Sequence, residues 1–205
     1  YTPRTLFPYT TLFRSLCCDS SIQNVLSGKL VEAMTASTND EKRLDSLIMN
    51  SNCIAIGPGL GNNPGTLKLL GKVLLNSKCP VVIDSDGLNV LEGNLEMLKN
   101  RKCQIVLTPH MGEMARISGL SIEEINENKI DIAKEFAKKY DVVLLLKGFN
   151  TIITDGKTLQ INPTGSSAMA SGGMGDCLTG IIASFISQGY DTLTAACASA
   201  YVHGY

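Results

Sequence analysis

Long apolar runs, an excess of either charge and metal-type cysteine spacing are all missing from this 205-residue chain. The longest uniformly apolar stretches, such as residues 142–146, fall far short of the roughly 20 residues that a membrane-spanning helix needs. Eighteen Lys plus Arg balance nineteen Asp plus Glu, and the formal charge of −1 comes with no polybasic run. That balance argues against a protein held to nucleic acid or anionic lipid by electrostatics. Seven cysteines occur without C-x-x-C spacing or an adjacent histidine, so reduced thiols in a soluble, cytoplasmic protein are expected rather than zinc or disulfides. The first residues lack the continuous apolar stretch and small-residue cleavage site of a signal peptide. Two nucleotide fingerprints also fail. G-x-G-x-x-G would need glycine where Asn62 stands, and the P-loop pattern ending in Gly156-Lys157-Thr158 has Thr151 in place of its first glycine.

What is present begins with a near-repeat, Thr5-Leu6-Phe7-Pro8-Tyr9-Thr10 followed by Thr11-Leu12-Phe13-Arg14-Ser15. TLFPYTTLFRS resembles the conceptual translation of a sequencing adapter, so residues 1–15 are expected to be foreign to the fold and the domain to occupy 16–205. With 44% hydrophobic residues over its whole length, the chain can bury the core of one domain. Short apolar runs at 54–56, 81–83, 105–107 and 142–146 suit strands buried on both faces. Between them, residues 64–76 open with proline and space Leu67, Leu70, Val73 and Leu74 along one helical face. Residues 121–140 open with a Ser121…Glu124 capping box and predict a single helix. Residues 16–34 read as the end of a strand-helix unit. The alternation predicts an α/β fold, a mainly parallel sheet flanked by helices. A hairpin around Asp155-Gly156 follows, and then helices from about 177 to 188 and from 191 onward.

In an open parallel sheet, ligands bind at the carboxyl ends of the strands, and the segments there are chemically loaded. Gly57-Pro58-Gly59-Leu60-Gly61 is a glycine turn that either lets a ligand approach the backbone or serves only as a turn. In Asp84-Ser85-Asp86, the carboxylates either hold magnesium through water or simply cap the next helix, and for Asp86 both readings stand. Pro109 makes Thr108 extended and directs His110 and Glu113 toward one rim, where His110 is a ligand contact or a structural group. Lys147-Gly148-Phe149-Asn150-Thr151 offers a cation and a glycine to a nucleotide, or a solvated strand end. The densest segment is Ser171-Gly172-Gly173-Met174-Gly175-Asp176. Three glycines in four residues at a helix start form a nest of amides for a phosphate, and Asp176 stands where an acceptor hydroxyl needs a base.

G-x-G-D before a helix resembles the anion hole and base of the ribokinase-like superfamily. The longer NPTG…MASGGMGDCLTG, preceded in order by IGPGLG, VIDSDGLN, LTPHMGE and LLKG, resembles the ADP-dependent NAD(P)H-hydrate dehydratase family from about residue 16 to the end. That resemblance implies a ribokinase-like fold and a repair reaction, in which the (S)-hydrate of NADH or NADPH becomes the working cofactor while ADP gives AMP and phosphate. It assigns Asp176 as the base at the hydrate hydroxyl, Gly59 and His110 as contacts to the hydrated nicotinamide, and Gly172, Gly173 and Gly175 as the anion hole. Lys147, Gly148, Phe149, Asn150 and Thr151, with Gly175, would hold the ADP or AMP moiety. Magnesium is the implied cation, with Asp84 and Glu113 as its candidates. A homotetramer and a functional link to an NAD(P)H-hydrate epimerase are implied as well. Compared with the family pattern, the chain lacks a leading G-H-K-G segment and the usual continuation after Tyr205, and Ser166 and Ala168 replace Asn and Gly. A vitamin-precursor kinase of the same superfamily, or an inactive truncated fragment, are the alternatives.

Overall fold

The computed structural model describes residues 14–205. The reading of residues 1–15 as foreign therefore falls, up to residue 13, outside the described residues, whereas Ser15 already lies in a strand. The chain divides after Ser51 into two compact units.

The first unit pairs β1 (Ser15–Cys18) with β2 (Met34–Ser37) in parallel. The connection is α1 (Ser20–Lys29), and α2 (Glu41–Asn50) follows. Asp19 and Asp40 cap the two helices, accepting from the amides of Ser21 and Arg43 at 2.9 and 3.0 Å, so each helix starts where a side-chain acceptor replaces the missing turn. Cys18, Ala36, Leu44 and Ile48 are its buried apolar residues.

The second unit is a six-stranded sheet in the sequential order β3 (Ile54–Ile56), β4 (Val81–Ile83), β5 (Ile105–Leu107), β6 (Val143–Leu146), β7 (Thr151–Thr154) and β8 (Leu159–Asn162). β3 to β6 run parallel, and β7 and β8 join antiparallel. The crossovers carry α3 (Pro64–Asn76), the short α4 (Asp86–Asn89) with a 3-10 turn at Leu95–Leu98, and α5 (Met111–Ser118), α6 (Ile122–Glu127) and α7 (Lys129–Tyr140). β4, β5 and β6 are buried along their whole length, which is why they read as continuous apolar runs. Val82, Val106, Val143, Leu145 and Ile153 pack with Leu178, Ile182 and Ile186 of α8 (Met174–Ser187) and with Ala195, Ala196 and Ala200 of α9 (Thr192–Gly204). By the period-two rule, their strand neighbours face the other way. Each fully buried aliphatic side chain contributes about 1.5–3 kcal/mol.

The single helix predicted over 121–140 is in fact two. α5 (Met111–Ser118) precedes them, and Asn128 both ends α6 (Ile122–Glu127) and starts α7 (Lys129–Tyr140) at φ −128°, ψ 35°. Asparagine leaves helical dihedrals more readily than its neighbours, and the apolar spacing carries on across the break. The Ser121…Glu124 capping box forms as expected. The helix expected from about 177 starts three residues earlier, behind Gly173 at φ 87°. Among the described residues, no helix is long and apolar enough to cross a membrane.

Candidate active site

The site is assembled from the ends of β4, β5 and β6 and the start of α8. At the end of β4, the Asp84 side chain is fully buried. Its Oδ1 accepts from Lys147 Nζ at 2.8 Å and its Oδ2 from Thr179 Oγ1 at 2.8 Å. Such pairing is what a buried carboxylate requires, because an ionised group without partners in the interior is too costly to keep. The next residue, Ser85, has φ 50°, a conformation that L residues adopt at a cost of about 1–3 kcal/mol and that tends to accumulate at functional sites.

Lys147 stands at the end of β6, its amide donating to the Pro109 carbonyl at 2.8 Å. Its ammonium reaches Glu113 Oε2 at 3.7 Å as well as Asp84. Glu113, nearly as buried, accepts from the His110 amide at 2.8 Å, while His110 Nδ1 accepts from the amides of Gly112 and Glu113 at 3.0 and 3.2 Å. His110 thus caps α5 in a capping box, with its Nε2 3.6 Å from Glu113 Oε2 and its ring largely exposed. The structural and ligand-binding readings of His110 are compatible, since the capping nitrogen is Nδ1 and the ring is largely exposed.

The glycine turn has two kinds of member. Gly57 (φ 131°) is a close-approach residue: a Cβ there would lie 1.7 Å from the Asp84 carbonyl oxygen. Gly59 (φ 73°) is exposed, with nothing within 4 Å of a Cβ, so it is open to a ligand. Gly61 donates its amide to Asp86 Oδ2 at 2.7 Å, and Asp86 Oδ1 accepts from Asn89 at 3.2 Å. Of the two readings of Asp86, helix capping is not seen. α4 starts at Asp86 itself after Ser85, with no side-chain cap, and the Asp86 carboxylate ties down the glycine turn instead.

No side chain caps α8, whose N-cap is Gly173. Its first turn therefore presents backbone N–H groups and the positive end of the helix dipole. Gly172, Gly173 and Asp176 are exposed and Gly175 is half-buried. A Cβ on Gly175 would sit 3.3 Å from Lys147 Nζ and 3.6 Å from Asp84 Oδ2, so the helix start, the ammonium and the buried carboxylate meet at one point. Beyond Lys147, Gly148 (φ 152°) and Asn150 (φ 54°) flank Phe149, which is 91% exposed. Thr151 Oγ1 donates to the Gly148 carbonyl at 2.9 Å, and Lys129 Nζ to the Phe149 carbonyl at 3.3 Å. Burial pulls the Lys129 ammonium below the usual lysine range.

The residues singled out from sequence thus divide. Asp84, Glu113, Lys147 and Gly175 form one cluster that His110 joins through Glu113. Gly59, Phe149, Asn150, Gly172, Gly173 and Asp176 are exposed around it. Thr179 was missed, and the only cue to it was a hydroxyl among the apolar positions Leu178, Ile182 and Ile186 of one helix. A cavity of about 610 Å³ opens elsewhere, at the opposite ends of β5 and β6, lined among others by Arg101, Lys102, Asp155 and Asp191. Several of its charges are committed locally: Asp155 and Asp191 accept from nearby amides and Arg101 donates to carbonyls.

Residues 14–205 match a family model described as NAD(P)H-hydrate dehydratase. A bifunctional NAD(P)H-hydrate repair enzyme Nnr of Moorella thermoacetica is 40% identical over 195 residues, which cover 89% of this chain and 37% of that protein. The Escherichia coli enzyme of the same name is 39% identical over 168 residues, 80% of this chain and 32% of that one. The chain thus spans about a third of the length of these curated relatives. Among solved structures, the ADP/ATP-dependent NAD(P)H-hydrate dehydratase of Bacillus subtilis, co-crystallised with ATP and Mg2+, superposes with a TM-score of 0.74 at 31% identity, covering 89% of this chain and 65% of that one. A hydroxyethylthiazole kinase of Pyrococcus horikoshii shares the fold alone, at a TM-score of 0.66 and 17% identity over 91% of this chain and 75% of that one.

Proposed function

The chain belongs to the NAD(P)H-hydrate dehydratase family, and on that premise we propose that it dehydrates (S)-NAD(P)H-hydrate at the expense of ADP. The observation that carries this reading is the uncapped glycine-rich start of α8, with Asp176 in its first turn and Lys147 Nζ 3.3 Å from where a Gly175 side chain would begin. The Asp176 carboxylate takes the proton of the hydrate hydroxyl as that oxygen attacks the terminal phosphoryl of ADP, and AMP leaves. The amides around Gly172, Gly173 and Gly175, with Lys147 beside them, stabilise charge on the transferring group, the task that dominates phosphoryl transfer. The hydrate now carries a phosphate ester. Its ring nitrogen expels phosphate, and loss of the neighbouring ring proton restores the double bond of NADH or NADPH.

In the same proposal, Lys147 to Thr151 hold the AMP moiety, and Gly59 and His110 face the hydrated nicotinamide. Magnesium is the expected companion of the nucleotide, but the donor set does not make a cage for it. Both Asp84 oxygens are taken by Lys147 and Thr179, and no group of three or more His, Cys, Asp or Glu among the described residues could hold a metal. Any magnesium is therefore left to phosphate oxygens and water, its usual partners, and no step here depends on it. A homotetramer, a functional link to an epimerase and a cytoplasmic location belong to the same reading. So do a dehydratase domain spanning residues 16–205 and a foreign segment before it.

The test is the return of reduced-nicotinamide absorbance when this chain is given hydrated NADH, magnesium and ADP. Recovery is expected, reduced about 10²–10⁴-fold in Asp176→Asn, the usual range for loss of a general base. Phosphorylated product accumulating without dehydration would move the reading to a small-molecule kinase.

A further inference from the structure

We propose that Thr179 is a positioning residue for Lys147, acting through Asp84. The inference rests on the reading of Lys147 and the α8 start as a nucleotide site. Asp84 has two oxygens and two partners: Lys147 Nζ at 2.8 Å on one, Thr179 Oγ1 at 2.8 Å on the other. Thr179 lies one turn beyond Gly175 in α8 and is 2% exposed, so it cannot reach a ligand in the rim. Side chains on a helix lean toward its N-terminus, which directs the Thr179 hydroxyl back under the first turn and onto the carboxylate. Asp84 therefore ties α8 and Lys147 to the same strand end, and a Cβ on Gly175 would press on the Lys147 ammonium at 3.3 Å.

The arrangement has a chemical consequence. With Thr179 donating to Oδ2, the ammonium is confined to Oδ1 and stays within 3.7 Å of Glu113, beside the helix end where a phosphate would lie. Without the hydroxyl, the buried Oδ2 has lost its donor, and the ammonium is the cation that can replace it. Lys147 then shifts across the carboxylate toward Oδ2 and leaves the position, within reach of Oδ1 and Glu113, that it holds beside the helix end. A hydroxyl that matters only to the fold would lower stability without involving Lys147 at all.

A double-mutant cycle on ADP binding by the chain, read by calorimetry, separates these cases. Thr179→Val is expected to weaken ADP about 10-fold, the loss of one charge-assisted hydrogen bond. Thr179→Ser, which keeps the hydroxyl, is expected to restore affinity to within about 3-fold. In a Lys147→Met background, Thr179→Val is expected to add nothing. Full additivity of the two substitutions would overturn the relay while leaving the nucleotide reading intact. Unchanged ADP affinity in Lys147→Met would overturn that reading and the relay with it. If Thr179→Val does not fold, Thr179→Ala supplies the same cycle, because it also removes the hydroxyl that donates to Asp84 Oδ2.

Discussion

Gly57 and Gly93 both hold positive φ, at 131° and 72°, yet they differ in what surrounds them. A Cβ at Gly57 would strike the Asp84 carbonyl at 1.7 Å, whereas one at Gly93 meets nothing within 4 Å. Gly93→Ala should therefore cost only the left-handed backbone term, about 1–2 kcal/mol. Gly57→Ala must also displace the end of β4 that carries Asp84, and is expected to cost at least about 3 kcal/mol. Urea denaturation of the two variants checks the difference, and equal costs would mean that the glycine turn does not press on Asp84. Cysteines divide by surroundings in a similar way. Cys53 packs against the core cluster, and burial, with Cys79 nearby, pushes its thiol up to about 12. Cys177, exposed in the first turn of α8 beside Asp176, has no such cover. At pH 8 a disulfide reagent should modify Cys177 quickly, and Cys53 only as fast as the protein opens. ADP should slow the first reaction by covering the helix start, and the second only as far as it stabilises the folded protein against opening. The native Cys53 value lies above the unfolded one, near 8.5, so the stability it contributes is complete below about pH 8.5 and is lost as pH rises toward 12.

The elements were legible wherever one local rule decided them. The runs at 54–56, 81–83 and 105–107 became strands with those bounds, and Pro64 opened α3 where expected; burial on both faces holds for β4 and β5 but not for β3, whose Ala55 is exposed. The break at Asn128 was not legible, since the apolar spacing continues through it and only the backbone records the change. The Lys147–Asp84–Thr179 contacts span 63 and 95 residues, a pairing that strand-end position suggests for Lys147 and Asp84 and that nothing local suggests for Thr179. Asp191 shows what a cap contributes. Hydrogen bonds from Thr194, side chain first and backbone second, hold its carboxyl below the usual range, and its Oδ1 accepts from the Thr194 amide at 2.9 Å. A lowered native value means that the stabilisation is present above the ordinary carboxylate value, about 3.9, and is lost as pH falls through the native one. Asp191→Asn should keep the cap and flatten this part of the acid transition. Asp191→Ala should lose about 1 kcal/mol near neutrality as well. Melting curves from pH 2 to 7 distinguish the two, and identical acid limbs in wild type and Asp191→Asn would remove the carboxylate from the account.

For the molecule as a whole, the division after Ser51 separates two units with very unequal means of holding themselves together. Residues 52–205 contain the six-stranded sheet, the α8 and α9 layer and the cluster around Asp84. Residues 14–51 have two short strands, two helices and four buried apolar side chains. A segment that small seldom buries enough apolar surface to offset the entropy of ordering its chain. The expected outcome is that 52–205 expressed alone melts cooperatively and keeps its slow Cys53 thiol, whereas 14–51 alone shows no cooperative transition. Circular dichroism on the two pieces decides it. A non-cooperative melt of 52–205 would mean that the sheet draws its stability from outside the core described here, and the site formed at its strand ends could not then be treated as a property of that unit.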